Sequence, residues 1–195
     1  MHIILFLLVN FVVLLSAYFL SSRLLKPASA ADSLIQLLLL YFSLIVLEEL
    51  FLGCFGILTF LNIVGLSLVI CLLVSFITGR NKKAPRSFRL DGFWIKSLLN
   101  ENVSLFLISA VICYAIVKLF VNLVNPPSGW DSINYHFTFA VEWLKHANLT
   151  MPPTVFDDPS PTYYPINGSL FYLWFIMPLR NVFLADLGQV PFYIL

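Results

Sequence analysis

Four apolar runs, each about twenty residues long, constrain this 195-residue chain more than any other feature of its sequence. A helix needs about 20 apolar residues to cross the roughly 30 Å hydrocarbon core of a bilayer. The runs cover residues 1–20, 33–52, 57–78 and 103–124. The sequence therefore predicts an all-α fold, a polytopic bundle of four transmembrane helices whose first partner is the lipid bilayer.

The composition agrees with a membrane protein and argues against a soluble one. Hydrophobic residues make up 60% of the chain, charged residues make up 11%, and the mean hydropathy is +0.92. An average soluble domain has about 25% charged residues, which cover its apolar interior. The net charge of +1 leaves no strongly basic surface of the kind that binds nucleic acid. We therefore expect no nucleic-acid partner.

The first apolar run raises the question of a cleaved signal peptide. Signal peptides begin with a basic segment and have a shorter apolar region. Here the first charged residue is Arg23, beyond the run. We therefore interpret residues 1–20 as a membrane span.

The basic residues predict the orientation of the bundle. Eight of the eleven lysines and arginines lie in the two connections after the first and third runs. They are Arg23, Lys26, Arg80, Lys82, Lys83, Arg86, Arg89 and Lys96. Connections rich in lysine and arginine stay in the cytoplasm. The amino terminus and residues 125–165 are then external, and the chain is expected to be a multi-pass protein of the cytoplasmic (plasma) membrane.

Three polar residues lie within the apolar runs or at their edges, namely Glu48, Glu49 and Asn62. Ionisable groups at membrane depth are often functional. The alternative is that these side chains lie at the interface or form hydrogen bonds between helices.

The external segment 125–165 has a different character, with most of the prolines and many aromatic residues. Prolines 126 and 127 end the fourth helix, and Asp131 or Ser132 can cap a new one. Apolar residues then recur every three or four positions, which predicts an amphipathic helix over 131–147 on the membrane surface. They are Ile133, Phe137, Ala140, Val141 and Leu144, with Trp143 beside them.

Residues 166–195 become apolar again. Gly168–Leu179 is short for a span and is interpreted as a tilted span or a re-entrant element. A further apolar stretch begins at Leu187 and reaches Leu195 without completing a span. We expect the chain to be the amino-terminal portion of a longer protein, with further helices after it.

The candidate chemistry is concentrated in the external segment. The chain contains no nucleophile elbow, glycine-rich phosphate loop, metal-ligand pair or paired-cysteine motif, so we expect no metal and no cofactor. Asp131 is either a general base or a helix cap. His136 can contact a phosphate or simply lie at the interface, and Trp130 can stack on a sugar or belong to an aromatic belt. Asp157 and Asp158 are either metal ligands or solvated loop carboxylates.

Two stretches carry a resemblance to a known family. The first is Gly129-Trp130-Asp131-Ser132-Ile133-Asn134-Tyr135-His136, followed by Ala140-Val141-Glu142-Trp143-Leu144. The second is Tyr164-Pro165-Ile166-Asn167-Gly168-Ser169-Leu170 with Trp174, followed by the segment 180–189 with Asp186. Together they resemble the first external loop of membrane glycosyltransferases of the GT-C fold. The nearer branch contains the protein O-mannosyltransferases and aminoarabinose transferases (glycosyltransferase family 39).

The resemblance implies an enzyme that transfers a sugar from a polyprenyl-phosphate carrier to an acceptor outside the cytoplasm. Asp131 carries over as the catalytic base, and Trp130, His136, Tyr164 and Asn167 are the expected substrate-binding residues. The alternative is a non-enzymatic membrane component, such as a transporter or a polysaccharide-export subunit. A transporter typically shows broken helices or charges at the bilayer midplane.

Overall fold

The described part of the chain folds into helices. The computed structural model describes residues 2–25, 29–80, 101–125, 128–154, 158–182 and 185, and these contain no strand. The helices are α1 (His2–Leu24), α2 (Ala30–Cys54), α3 (Phe60–Gly79), α4 (Asn102–Val124), α5 (Phe137–His146) and α6 (Asn167–Leu179). A π-helical turn (Ser132–His136) precedes α5, and a 3-10 turn (Ser160–Tyr163) precedes α6. The predicted all-α class is confirmed.

Helices α1 to α4 correspond to the four predicted spans, and each is long and apolar enough to cross a membrane. Their ends differ from the apolar runs by up to four residues, because local capping rather than hydropathy fixes where a helix begins. Ser29 starts α2 with a capping box: its hydroxyl accepts from the Asp32 N–H, and its own N–H donates to the Asp32 carboxylate, both at 3.0 Å. Thr59 caps α3 by accepting from the Asn62 N–H.

The first three helices pack together, and Asn10 in the middle of α1 connects two partners. The Asn10 side-chain oxygen accepts hydrogen bonds from the Tyr41 hydroxyl of α2 and from the Trp174 indole N–H of α6, the latter at 3.0 Å. At the C-terminal end of α1, the Arg23 guanidinium donates to the carbonyl of Thr78 in α3 at 3.4 Å. These contacts fix the register of α1 against its neighbours.

Helix α4 is less enclosed than the other three spans. Asn122, near its C-terminal end, is the buried residue of α4, and none of the residues in the most apolar part of the helix is buried. Its apolar side chains are therefore placed to face lipid or further protein.

The end of α5 is attached to the turn between α2 and α3. The Leu58 N–H donates to the Ala147 carbonyl at 2.8 Å, and the Leu149 N–H donates to the Gly53 carbonyl at 3.4 Å. Ala147 ends α5 in the left-handed conformation, with φ of 53°. The α2–α3 turn and the end of α5 thus lie at the same end of the bundle.

Helix α5 is the predicted amphipathic helix, and protein covers much of its apolar face. Phe137, Phe139, Ala140 and Trp143 are buried, whereas Ile133 is 55% exposed. The sequence pattern did not include Phe139 among the apolar residues of this face. It did include Ile133, which is exposed because the π-helical turn shifts the residues before α5 relative to those within it. On the opposite face Glu142 pairs with Lys145 at 2.5 Å.

Helix α6 has 13 residues, or about 20 Å of helix, which is too short to cross the hydrocarbon core. It ends at Leu179, where Arg180 takes the left-handed conformation with φ of 51°. Aromatic contacts hold it against the bundle: Phe171 meets Phe42 of α2 at 4.8 Å between ring centroids. Of the two predicted alternatives for this segment, a helix of this length favours the re-entrant element over the tilted span. Residues 186–195, with Asp186, and most of the basic connection 80–96 lie outside the described residues.

The predicted orientation can be tested with two single cysteines in a chain whose native cysteines are replaced by alanine. Arg80 and Ser160 are both exposed, so each position accepts a reporter thiol. We expect Ser160→Cys to react with a membrane-impermeant maleimide in intact cells, and Arg80→Cys to react only after the cells are opened. The reverse labelling pattern would place the loop that carries Asp131 in the cytoplasm.

Candidate functional site

The candidate site begins at the turn that leads into α5. The backbone of Asp131 is already helical, with φ of −65° and ψ of −36°, and its side chain makes no capping hydrogen bond. The Ile133 N–H donates instead to the Gly129 carbonyl, which places the helix start before Asp131. The prediction that Asp131 caps this helix is therefore wrong, and so is the cap at Ser132, which lies inside the turn. The carboxylate of Asp131 is exposed and not engaged in a cap.

Asp131 acts electrostatically on two neighbouring side chains. Partial burial, and secondarily the charge of Asp131, raise the pKa of the Tyr135 hydroxyl. Burial lowers the pKa of the His136 imidazole, and the Asp131 charge opposes that shift. Asp131, Tyr135 and His136 therefore form one electrostatic group at the start of the helix.

His136 connects this group to the first turn of α6. Its Nδ1 lies 2.9 Å from the Ser169 hydroxyl, and its ring stands 5.3 Å from that of Tyr172. A Cβ added to Gly168 would lie 3.2 Å from His136 Cε1, so the glycine allows the imidazole to approach the helix closely. Phe137 adds an edge-on contact with Tyr172, at 5.0 Å between ring centroids.

Tyr164 reaches the same group from the end of the 3-10 turn. Its ring meets Tyr135 edge-on, with 5.4 Å between centroids. Before that turn, the Asp158 carboxylate accepts from the N–H and hydroxyl of Ser160, and these hydrogen bonds lower its pKa. Asp158 thus serves a local turn, and Asp157 lies outside the described residues.

Asn167 directly precedes Gly168 in the chain and lines a cavity of about 370 Å³ between α2 and α6. Most of the cavity wall is apolar, and its polar groups come from Ser43, Asn167 and Tyr172. The lining residues are Phe42, Ser43, Val46, Asn167, Gly168, Phe171 and Tyr172. An elongated apolar molecule with a polar end matches this distribution of groups.

The structure thus groups three of the five predicted site residues, Asp131, His136 and Tyr164, around Tyr135, and it places Asn167 in the neighbouring cavity. The fifth, Trp130, is 72% exposed and lies beside Asp131 at the helix start. Sequence reasoning missed the role of Ser169, which holds the His136 ring from 33 positions away. The sequence feature that could have pointed to Ser169 is its position directly after Asn167 and Gly168, within the second of the two resembling stretches.

The two membrane-depth glutamates differ in their partners. Glu48 of α2 is 1% exposed and accepts from the Ser67 hydroxyl of α3 at 2.5 Å, which confirms the helix–helix hydrogen bond expected as one alternative. Its second oxygen, Oε1, has no hydrogen-bond partner among the described residues. Glu49 is fully buried, and within the part of the chain that the structure describes neither of its carboxyl oxygens has a hydrogen-bond partner.

Known proteins offer no further assignment of this site, since no protein-family model, curated protein or solved structure matches the chain.

The His136–Ser169 contact predicts a pH-dependent docking of α5 on α6. Because burial lowers the pKa of folded His136 below its usual 6.5, the unfolded state binds the proton more readily. Stability should therefore be complete above about pH 6.5 and decline as the pH falls towards the lower folded pKa. Thermal unfolding followed by near-ultraviolet circular dichroism in detergent, between pH 8 and 5, measures this dependence.

Two histidine variants separate this effect from general acid sensitivity. His136→Gln should flatten the pH dependence, because glutamine cannot take up the proton. His146→Gln is the matched control, since the His146 side chain is 61% exposed and pairs with Glu142. An equally steep decline in His136→Gln would show that other groups cause it.

Proposed function

We propose that this chain belongs to a GT-C-type glycosyltransferase, which moves a sugar from a polyprenyl-phosphate carrier to an acceptor outside the cytoplasm. The observation that carries the proposal is the position of Asp131. Its carboxylate is exposed, is not spent on capping, and stands beside Tyr135 and His136 at the entrance to the external segment. The resemblance of residues 125–195 to the first external loop of these enzymes points to the same residue.

In the proposed reaction, a hydroxyl of the acceptor attacks the anomeric carbon of the carrier-bound sugar. The bond between that carbon and the phosphate oxygen breaks, and the polyprenyl phosphate leaves with the bonding electrons. Asp131 takes the hydroxyl proton, which makes the attacking oxygen more nucleophilic as the new bond forms. An exposed carboxylate suits this role, because an acceptor molecule can reach it.

The surroundings of Asp131 support binding of such a donor. Tyr135 and Tyr164 offer aromatic edges and hydroxyls of the kind that hold sugars, and the exposed ring of Trp130 can stack on one. The cavity at Asn167 has the apolar walls that a prenyl chain requires and a polar rim for its head group. His136 is neutral above its lowered pKa, so it binds as a hydrogen-bonding group rather than as a cation.

A second candidate is a non-enzymatic transport component, and Glu49 favours it. Fully buried carboxyl groups without hydrogen-bond partners in membrane spans commonly mark ion or proton pathways. Glu49 is, however, remote in sequence from the group around Asp131. The two candidates differ in whether the carrier–sugar bond is broken.

The deciding experiment uses membranes that contain the full chain and a panel of radiolabelled sugars linked to polyprenyl phosphate. We expect one of these sugars to leave the lipid fraction and appear on an acceptor, in a manner that requires the protein. Membranes without the protein provide the background. Retention of every sugar on its carrier would overturn the enzymatic proposal, whereas movement of an intact solute across the membrane would support transport.

A further inference from the structure

A groove on the lipid-facing side of α2 and α3 carries an inference independent of the external site. The groove has a volume of about 540 Å³. Its lining residues are Leu44, Leu47, Glu48, Leu50, Phe51, Cys54, Phe55, Leu66 and Ile70. Several of them form an exposed rim: Leu47 is 60% exposed, Phe51 53% and Phe55 67%. Glu48 is the single ionisable side chain other than a cysteine among these lining residues.

The floor of the groove holds a polar group that the described residues leave unsatisfied. The Ser67 hydroxyl donates to Glu48 Oε2 and so fixes the carboxyl group against α3. Oε1 has no hydrogen-bond partner, although the residue is only 1% exposed. A buried polar oxygen without a partner is costly, most of all where lipid rather than water surrounds the protein. The carboxyl group of Glu48 thus lies buried at the floor of the groove, beneath apolar walls.

We propose that this groove docks a transmembrane helix of a partner polypeptide that carries a lysine or arginine at the depth of Glu48. Charge complementarity selects a basic side chain, because the acceptor is a carboxyl group. Glu48 lies six residues before Cys54, where α2 ends, which corresponds to about 9 Å of helical rise. The partner's basic residue should therefore lie about six residues from the outer end of its own helix.

The shape and depth of the groove favour a helix over a lipid. Its α2 wall runs from Leu44 to Phe55, about three helical turns, and a second helix can lay its side chains along such a ridge. The ammonium of a phospholipid head group belongs at the interface, above the level of Glu48. A lysine on a transmembrane helix can lie at this depth, where its ammonium group would contact the carboxyl group of Glu48 instead of lipid.

Cys54 makes the groove testable, because it lines the rim and is exposed. The full chain, with Cys71 and Cys113 replaced by alanine, is reconstituted in phosphatidylcholine vesicles with a synthetic leucine–alanine helix. The peptide carries a cysteine at its outer end and, six residues inward, either lysine or leucine. We expect the lysine peptide to form a disulfide with Cys54 about tenfold faster than the leucine peptide.

The protein variants identify the contact. Glu48→Gln should remove the advantage of the lysine peptide, whereas Glu101→Gln, at an exposed glutamate outside the groove, should keep it. Leu47→Trp fills the groove from its exposed rim without touching the carboxyl group, and it should slow both peptides. This second variant keeps the test valid if Glu48→Gln folds poorly.

Three outcomes would overturn the proposal. The first is equal cross-linking of the lysine and leucine peptides, and the second is an advantage that survives Glu48→Gln in a folded protein. The third is an advantage that disappears when phosphatidylethanolamine replaces half of the phosphatidylcholine, which would assign the groove to a lipid ammonium.

Discussion

Asp131→Asn is expected to reduce sugar transfer by a factor of about 10² to 10⁴, the usual contribution of a positioned general base. Asparagine keeps the size and polarity of the side chain but cannot accept the proton from the acceptor hydroxyl. The measurement is the initial rate of transfer from the carrier-linked sugar, in membranes that contain equal amounts of each variant. Unchanged turnover would remove Asp131 from the reaction.

The structure indicates that a substitution at Asp131 can change activity without changing the stability of the helix. A lost helix cap typically costs about 1 kcal/mol, but the Asp131 side chain makes no capping hydrogen bond. Asp131→Ala should therefore unfold at the same temperature as the wild type while losing as much activity as Asp131→Asn. Glu142→Gln is the matched control: Glu142 lies on the same helical segment, and its partners are Lys145 and His146. It should keep full activity.

The four spans were predictable from the sequence because the bilayer imposes a length on any helix that crosses it. The amphipathic α5 was predictable as well, since Phe137, Ala140 and Trp143 follow the helical period. Helix ends were harder to place. Helix α2 continues as far as Cys54, two residues beyond the apolar run, and Gly53 near its end packs against Leu149, a contact that hydropathy does not report.

The residues of the candidate site came from two continuous motifs, but the contacts between those motifs were not predictable from the sequence. Asp131 and His136 lie in one continuous motif, so the sequence alone placed them together. The Ser169 partner of His136 and the Asn10 acceptor for Trp174 are contacts across 33 and 164 positions, and no local pattern specifies them. The cap predicted for Asp131 failed for a related reason. A carboxylate near a helix start suggests a cap, but the backbone conformation decides whether it is one.

Gly53→Ala should cost about 1 to 3 kcal/mol of stability, because the site has no room for a methyl group. A Cβ at this position would lie 2.6 Å from Leu149 Cδ1 and closer still to Leu149 Cγ. The same glycine accepts the Leu149 N–H through its carbonyl, so the clash occurs where the external segment is attached to α2. Thermal unfolding in detergent measures the loss, and protease sensitivity of residues 147–154 shows whether the segment has detached.

Two further variants attribute the loss to this contact. Gly65→Ala is the matched control: Gly65 lies within α3, and a Cβ there meets nothing within 4 Å, so the better helix propensity of alanine should leave stability unchanged or slightly raised. Leu149→Ala removes the clashing atoms, and Gly53→Ala in that background should cost much less than in the wild type. If both backgrounds lose the same stability, the defect lies within α2 itself. If the Gly53–Leu149 contact causes the loss of stability, we expect the strain to extend from Leu149 through α5 to Asp131. Sugar transfer should then fall in Gly53→Ala, although the proposed base Asp131 is unchanged.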